Sequence, residues 1–434
     1  MRGNASGALT AAHLAARLAL ATVLALASAL GTRPAAAQGP PAERARELGI
    51  PLDGTPGPLD AITDVPGVTV GHVTIVRGTG RLVPGKGPVR TGVTAVFPRG
   101  RENLAPAFAG WFSLNGNGEM TGTAWIDDYG LLFYPIAITN TNSVGTVRDA
   151  LIEWGDRRVL DPLHCCLPVV AETWDGDLND IFGFHVKKEH VFAALDAARG
   201  GAVPEGNVGG GTGMQCLGFK GGIGTASRRL KRGFTVGALV QCNFGLRRQL
   251  RIAGIPVNEE LKVPEPCYDT REPLDSSLAP DRCATVTGER APGAPDGARP
   301  REAEHGSIIV VLATDAPLLP HQLRRLARRA ALGVGRMGGV AGAGSGDLFI
   351  AFSTGPTGTP DSTGLASVPM LSDDVIDPVY EAAVQATEEA IINAMLAART
   401  MTGANWYRVE ALPHAEVRAV LAKHGRIAET PKAK

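Results

Sequence analysis

Two stretches of this chain, Phe234–Cys242 and Ile308–Ala313, run with almost no polar interruption. A strand of that composition is stable only when both of its faces are covered, which points to an α/β arrangement of stacked layers and excludes an open, one-sided sheet. Leu348–Phe352 has the same character and is expected beside them. Val68–Val76 and Gly92–Phe97 alternate with β-branched residues and read as the first two strands. Leu319, Leu323, Leu326 and Ala330 share one face of a 3.6-residue period, while Arg324, Arg325, Arg328 and Arg329 point away. Pro320–Leu332 is therefore an expected amphipathic helix ending near Gly333, its arginines a solvated face. A second long helix is expected from Asp377-Pro378 to about Ala398, with a stripe of Val379, Ala383, Ala386, Ala390 and Ile391.

The apolar run at 308 begins abruptly, where a segment rich in Pro, Asp, Glu, Arg and Gly (264–306) ends at His305-Gly306-Ser307. That segment reads as a loop or disordered tail. If the Gly306–Ser307 bond is cut, Ser307 carries a free α-amine beside its own hydroxyl, so one residue holds both nucleophile and base. An α-amine has a pKa of about 7.7–8.0 and is substantially neutral near pH 7, unlike a lysine. Glycine at 306 permits backbone angles closed to other residues, which helps the hydroxyl approach the preceding carbonyl. On residue type alone a Gly-Ser pair by default just starts a strand.

Six further segments bear on that choice: PVVAETWDGDLNDI (168–181), GNVGGGTGM (206–214), FKGGIGTASR (219–228), VGALVQCNFG (236–245), the run from 306 to 339, and GSGDLFIAFST (344–354). In type and order, from about Ile62 to Pro413, they resemble the L-aminopeptidase/D-esterase family, self-processing serine hydrolases of the peptidase S58 type that include the β-peptidyl aminopeptidases. The resemblance implies a four-layer αββα sandwich like that of N-terminal nucleophile hydrolases with different connectivity. It also implies one hydrolase domain cut into an α chain (38–306) and a β chain (307–434). Residue by residue, Ser307 matches the nucleophile, Ser345 and Asp347 the serine and acid that support it, and Asn243 the oxyanion-binding asparagine. Glu172 matches the acid that receives the substrate's amino group. Trp174 stands where a tyrosine is usual and supplies only an indole N–H, and Asp347 is one methylene shorter than the glutamate of some members. The implied activity is release of N-terminal residues from peptides, amides or esters with a free amino group, without a cofactor, by homo-oligomers of processed αβ heterodimers. Preference for β-peptides, hydrolysis of nylon oligomers and acyl transfer to an amino acid are alternatives on the same fold. The nylon-type and acyl-transferring relatives use threonine as nucleophile where this chain has Ser307. A secreted binding protein of this fold, never processed, is the non-enzymatic alternative.

The N-terminus has the layout of a secretory signal peptide (1–37): Arg2, an apolar run from Leu18 to Leu30, then Ala35-Ala36-Ala37. The run is too short to imply stable membrane insertion, so a periplasmic or extracellular location is expected. Residues 39–60, rich in Pro and Gly, read as a surface lead or linker. Lys plus Arg and Asp plus Glu number 43 each, with no basic block after the leader, which argues against nucleic acid as a partner. Six cysteines are too few for a disulfide scaffold, yet export permits bridges. Cys267 and Cys283 flank a turn-rich loop and are an expected pair. Cys165, Cys166, Cys216 and Cys242 lie in apolar segments and read as buried small hydrophobes.

Several motifs fail on spacing. Gly80–Gly87 lacks the hydroxyl residue and helix that a phosphate-binding loop requires and reads as a hairpin turn. Gly206–Gly213 lacks dinucleotide spacing, so close backbone packing beside the substrate cleft is expected instead. His185 and His190 stand five apart, off the metalloprotease pattern, so no metal site is expected. His305 reads as a solvated loop residue, with assistance to self-processing the sharper alternative.

Overall fold

The computed structural model describes residues 43–103, 105–156, 167–275, 278, 282–283, 304 and 306–428. The expected signal peptide (1–37), His305, Cys165 and Cys166 lie outside them.

The uninterrupted apolar runs become the middle of a six-stranded sheet. β9 (Gly222–Arg229), β10 (Thr235–Asn243), β12 (Gly306–Thr314) and β13 (Ser345–Ser353) are joined by β3 (Ala107–Ser113) and β4 (Leu131–Leu132) in the order β4-β3-β13-β12-β10-β9. Every residue of β10, β12 and β13 is buried, as their composition demands. A four-stranded sheet, β1-β2-β5-β6, contains the two expected alternating strands as Thr69–Arg77 and Val89–Phe97, then Ile136–Asn140 and Val170–Thr173. The Gly80–Gly87 stretch lies in the turn between β1 and β2, which pair antiparallel.

Side-chain alternation sorts the core into three seams. Ile309, Val311 and Ala313 of β12 meet Ile138, Ala171 and Val96 of the other sheet. Ile308, Val310 and Leu312 face the opposite way, onto the helices α4 (Pro320–Arg336) and α5 (Asp377–Ala397). The outer face of the small sheet is covered by α2 (Val144–Asp156) and α3 (Lys188–Asp196). The result is the expected αββα sandwich. α4 runs one turn past Gly333, because Gly333 and Val334 are buried and Gly333 sits against Thr387 of α5 too closely to admit a side chain.

Three expectations from composition give way. The 43–60 segment is no surface linker: Ala45, Leu48 and Ile50 enter the core, Arg44 pairs with Glu205 at 2.9 Å, and Arg46 with buried Glu389 at 2.9 Å. Within 264–306, Cys267–Tyr268 forms a short strand on Tyr407–Val409, tied by the expected Cys267–Cys283 disulfide. Cys216 and Cys242 are buried, as expected, but bridged to each other across a Cα–Cα distance of 5.5 Å. The hairpin Gln215–Lys220 folds back on the end of β10, an approach that apolar local sequence does not reveal. A non-reducing digest is expected to yield 216 with 242, and 267 with 283, as linked peptides that separate on reduction. Unlinked peptides before reduction would remove the bridges. The loop closed by Cys267–Cys283, 16 residues in separation, contributes about 3 kcal/mol by restricting the unfolded chain.

Candidate active site

β12 begins at Gly306, between β10 and β13, and the three strand ends build the site. Asn243 lies directly across from Ser307 in the antiparallel β10 ladder. On the other side β12 is parallel to β13, with Ser307 level with Gly346 and therefore between Ser345 and Asp347. Gly306 is needed for space: a Cβ there would lie 2.0 Å from the Asn243 carbonyl oxygen. Its φ is not positive, so close approach, rather than the unusual backbone angle expected from sequence, selects glycine here.

Ser307 is buried, and its Oγ accepts the Gly346 N–H at 3.1 Å. By alternation the hydroxyl shares the inter-sheet face with Ile309 and Val311, whereas Ser345 and Asp347 share the helix face with Phe349 and Ala351. The hydroxyl and the Ser345–Asp347 pair thus stand on opposite faces, with only the main chain of Ser307 common to both. From the helix side the Asp347 carboxyl meets the β12 main chain at the Ile308 N–H.

Ser345 Oγ donates to Asp347 Oδ1 at 2.7 Å, while Oδ2 is buried with no hydrogen-bond partner among the described residues. Burial pushes the Asp347 carboxyl up to about 6, aided by the negative charge of Glu304 and opposed by the Ser345 hydroxyl and the Ile308 N–H. An unfolded aspartate releases its proton near 4. Between those values the folded state holds more protons, so this carboxyl makes stability fall as pH rises through the window. Asp347→Asn removes that penalty. In the uncleaved Ser307→Ala chain, adding this substitution is expected to gain about 1–2 kcal/mol at pH 8 and nothing at pH 4 in denaturant unfolding. A double variant no more stable than Ser307→Ala at pH 8 would refute the assignment.

Asn243 is locked by its neighbours. Its Oδ1 accepts the Gln215 N–H at 2.7 Å and its Nδ2 donates to the Trp174 carbonyl at 2.9 Å, a pattern that fixes the amide's orientation and leaves one N–H toward the site. Behind it, fully buried Lys220 donates to the carbonyls of Met214 at 2.7 Å and Gly221 at 2.8 Å, holding the main chain that carries Gln215. Burial lowers the Lys220 amine to about 7 and raises the nearby buried Asp175 carboxyl to about 7.

Glu172, at the end of β6, is buried. Its carboxylate accepts the Glu119 N–H at 2.9 Å and the Thr141 hydroxyl, and burial pushes its pKa above the ordinary range. The loop Asn115–Glu119 brings it to β13, beside the nucleophile's strand. A Cβ on Gly118 would lie 3.1 Å from Gly346 Cα and 3.3 Å from Glu172 Oε1. Asn115 accepts the Asp347 N–H at 2.9 Å and donates to the Gly342 carbonyl, fastening this loop over β13. Trp174 contributes its carbonyl. Its indole, 38% exposed, lies over Gly176 and edge-on to Phe182 at 6.4 Å.

Sequence reasoning therefore reached Ser307, Ser345, Asp347, Asn243 and Glu172, which the fold assembles in one place. It missed the Gly346 N–H, Thr141, the Asn115–Glu119 loop and Lys220. Backbone donors leave no mark on residue type, and the others approach from distant segments. Gly209–Gly213 packs tightly between the sheets, where added Cβ atoms would strike Thr94, Gln241, the Ile223 main chain and the Arg90 carbonyl. His185 is a buried partner of Asp180 at 2.8 Å.

The sequence profile of peptidase family S58 matches residues 60–409. The β-peptidyl aminopeptidase of Sphingosinicella microcystinivorans is 52% identical over 399 residues, covering 91% of this chain and 95% of that protein. Among solved structures, the L-aminopeptidase D-Ala-esterase/amidase of Ochrobactrum anthropi superposes with a TM-score of 0.76 at 45% identity. It covers 89% of this chain and 100% of its own, and is described as a prototype for the serine aminopeptidases and a new variant of the Ntn hydrolase fold. A β-aminopeptidase of Burkholderia sp. superposes with a TM-score of 0.75 at 45% identity, over 89% of this chain and 100% of its own.

Proposed function

This chain belongs to peptidase family S58 and is a serine aminopeptidase of that family, and on that footing we propose that it is exported through residues 1–37 and activates itself by cutting Gly306–Ser307. The observation that carries the reading is the position of Ser307 at the start of a buried strand, its hydroxyl on one face and the Ser345–Asp347 pair on the other.

In self-cleavage the Ser307 oxygen attacks the Gly306 carbonyl carbon, the carbon–nitrogen bond breaks, and the nitrogen takes up the proton. Water then hydrolyses the resulting ester, leaving a Gly306 carboxylate and a Ser307 with both amine and hydroxyl. In turnover that amine, held by Ser345 and Asp347, accepts the hydroxyl proton as the oxygen attacks the first carbonyl of the substrate. The Gly346 N–H stabilises negative charge on the attacking oxygen. The remaining N–H of Asn243, with main-chain donors, stabilises the tetrahedral oxyanion, an interaction worth roughly 3–4 kcal/mol of barrier. The ammonium returns its proton to the leaving amine, and water releases the acyl group.

Glu172 would pair with the substrate's ammonium, which restricts the enzyme to peptides, amides and esters with a free N-terminus. Acceptance of β-amino substrates is the second reading, favoured by the names of the relatives at 52% and 46% identity. Processed α and β chains are taken to stay together and to assemble as homo-oligomers. Intact-mass analysis of active protein tests the reading: a fragment beginning at Ser307 is expected. Active material continuous across Gly306–Ser307 would sink it.

A further inference from the structure

Just before the junction stands a buried carboxylate that this chemistry does not use. Glu304 is 5% exposed. Its Oε1 accepts the Gly245 N–H at 2.9 Å and its Oε2 the Gly342 N–H at 3.0 Å. Gly245 follows β10 and Gly342 precedes β13, so one side chain joins the ends of the two strands that flank β12. The seat is fitted: a Cβ on Gly342 would lie 2.7 Å from both Glu304 Cβ and Oε2. The Gly342 carbonyl in turn accepts the Ser345 N–H and the Asn115 side chain, each at 2.9 Å, which links the clamp to the strand bearing Ser345 and Asp347.

We propose that Glu304 is a positioning residue for self-cleavage: by bridging Gly245 and Gly342 it holds the chain ahead of the junction between β10 and β13 while the Ser307 oxygen attacks the Gly306 carbonyl. The inference rests on the self-cleavage reading. Each carboxylate oxygen accepts one N–H here, and glutamine replaces one of those oxygens with an NH2 donor that faces an N–H. Intramolecular attack depends steeply on alignment, so a loosened clamp slows it far more than it destabilises the fold.

The test follows the fragment beginning at Ser307 by intact mass, in the full chain, for wild type, Glu304→Gln and Gly342→Ala. Glu304→Gln is expected to cleave at least tenfold more slowly than wild type, with its denaturant midpoint near that of wild type. Gly342→Ala, which displaces an intact Glu304, is expected to slow cleavage as well and guards against a folding defect in the first variant. Wild-type rates in either variant overturn the role of Glu304. Absence of the fragment from wild type overturns the self-cleavage reading itself, a result distinguishable from either.

Discussion

A Ser307→Ala chain is expected to run as one uncleaved band on a denaturing gel where the wild type gives two, and to lose essentially all aminopeptidase activity. The predicted loss is on the order of 10⁶-fold in kcat, the scale seen when a hydrolase loses the oxygen that forms its acyl intermediate. Two functions disappear together, because the same oxygen is proposed to cut the chain and to attack the substrate. The fold is expected to survive. The substitution removes one buried hydroxyl and leaves the Gly346 N–H without its partner, a cost of about 1–3 kcal/mol. Circular dichroism and a denaturant midpoint near the wild-type value would separate loss of chemistry from loss of structure. A processed, active Ser307→Ala protein would defeat the mechanism outright.

Glu172→Gln is expected to weaken recognition rather than chemistry, with kcat/KM falling about 10²-fold or more and most of the loss in KM. The buried carboxylate already satisfies the Glu119 N–H and the Thr141 hydroxyl, and an arriving ammonium supplies the opposite charge that its surroundings lack. Removing one member of a buried, hydrogen-bonded charge pair typically costs 2–5 kcal/mol, and about 1.4 kcal/mol is a factor of ten. Because burial raises the pKa of Glu172, wild-type KM is expected to climb as pH falls through that raised value, with the carboxylate taking a proton and releasing its hold on the ammonium. The glutamine variant should show no such limb. Measuring KM against pH for an amino-acid p-nitroanilide decides it, and an unchanged KM in the variant would remove Glu172 from substrate binding.

How much of this was open to reading in the chain itself depends on the range over which each signal acts. The strand at 308, the helix from Pro320 and the helix from Asp377 were legible because burial imposes a period on neighbouring residues, and a period is a local property. The Cys267–Cys283 pair was legible because only a turn-rich loop separates its members. Composition misled where the deciding contact was distant. The Pro- and Gly-rich lead at 43–60 looked like a linker, yet Arg46 reaches Glu389 and Ala45 accepts no solvent at all. Cys216 and Cys242 looked like separate apolar thiols until the hairpin brought them together.

The site divides along the same line. Residue identities alone, read beside a resemblance to known hydrolases, named the serine, its supporting pair, the asparagine and the acid. Their arrangement was a tertiary matter: that the Ser307 oxygen and the Ser345–Asp347 pair lie on opposite faces of the sheet, that Gly118 carries Glu172 to Gly346, and that Glu304 spans two strand ends. Hydrophobic periodicity is written into consecutive residues because each must choose core or water. Which strand ends meet is decided only when whole layers stack, since no short stretch of sequence records what will lie across the gap.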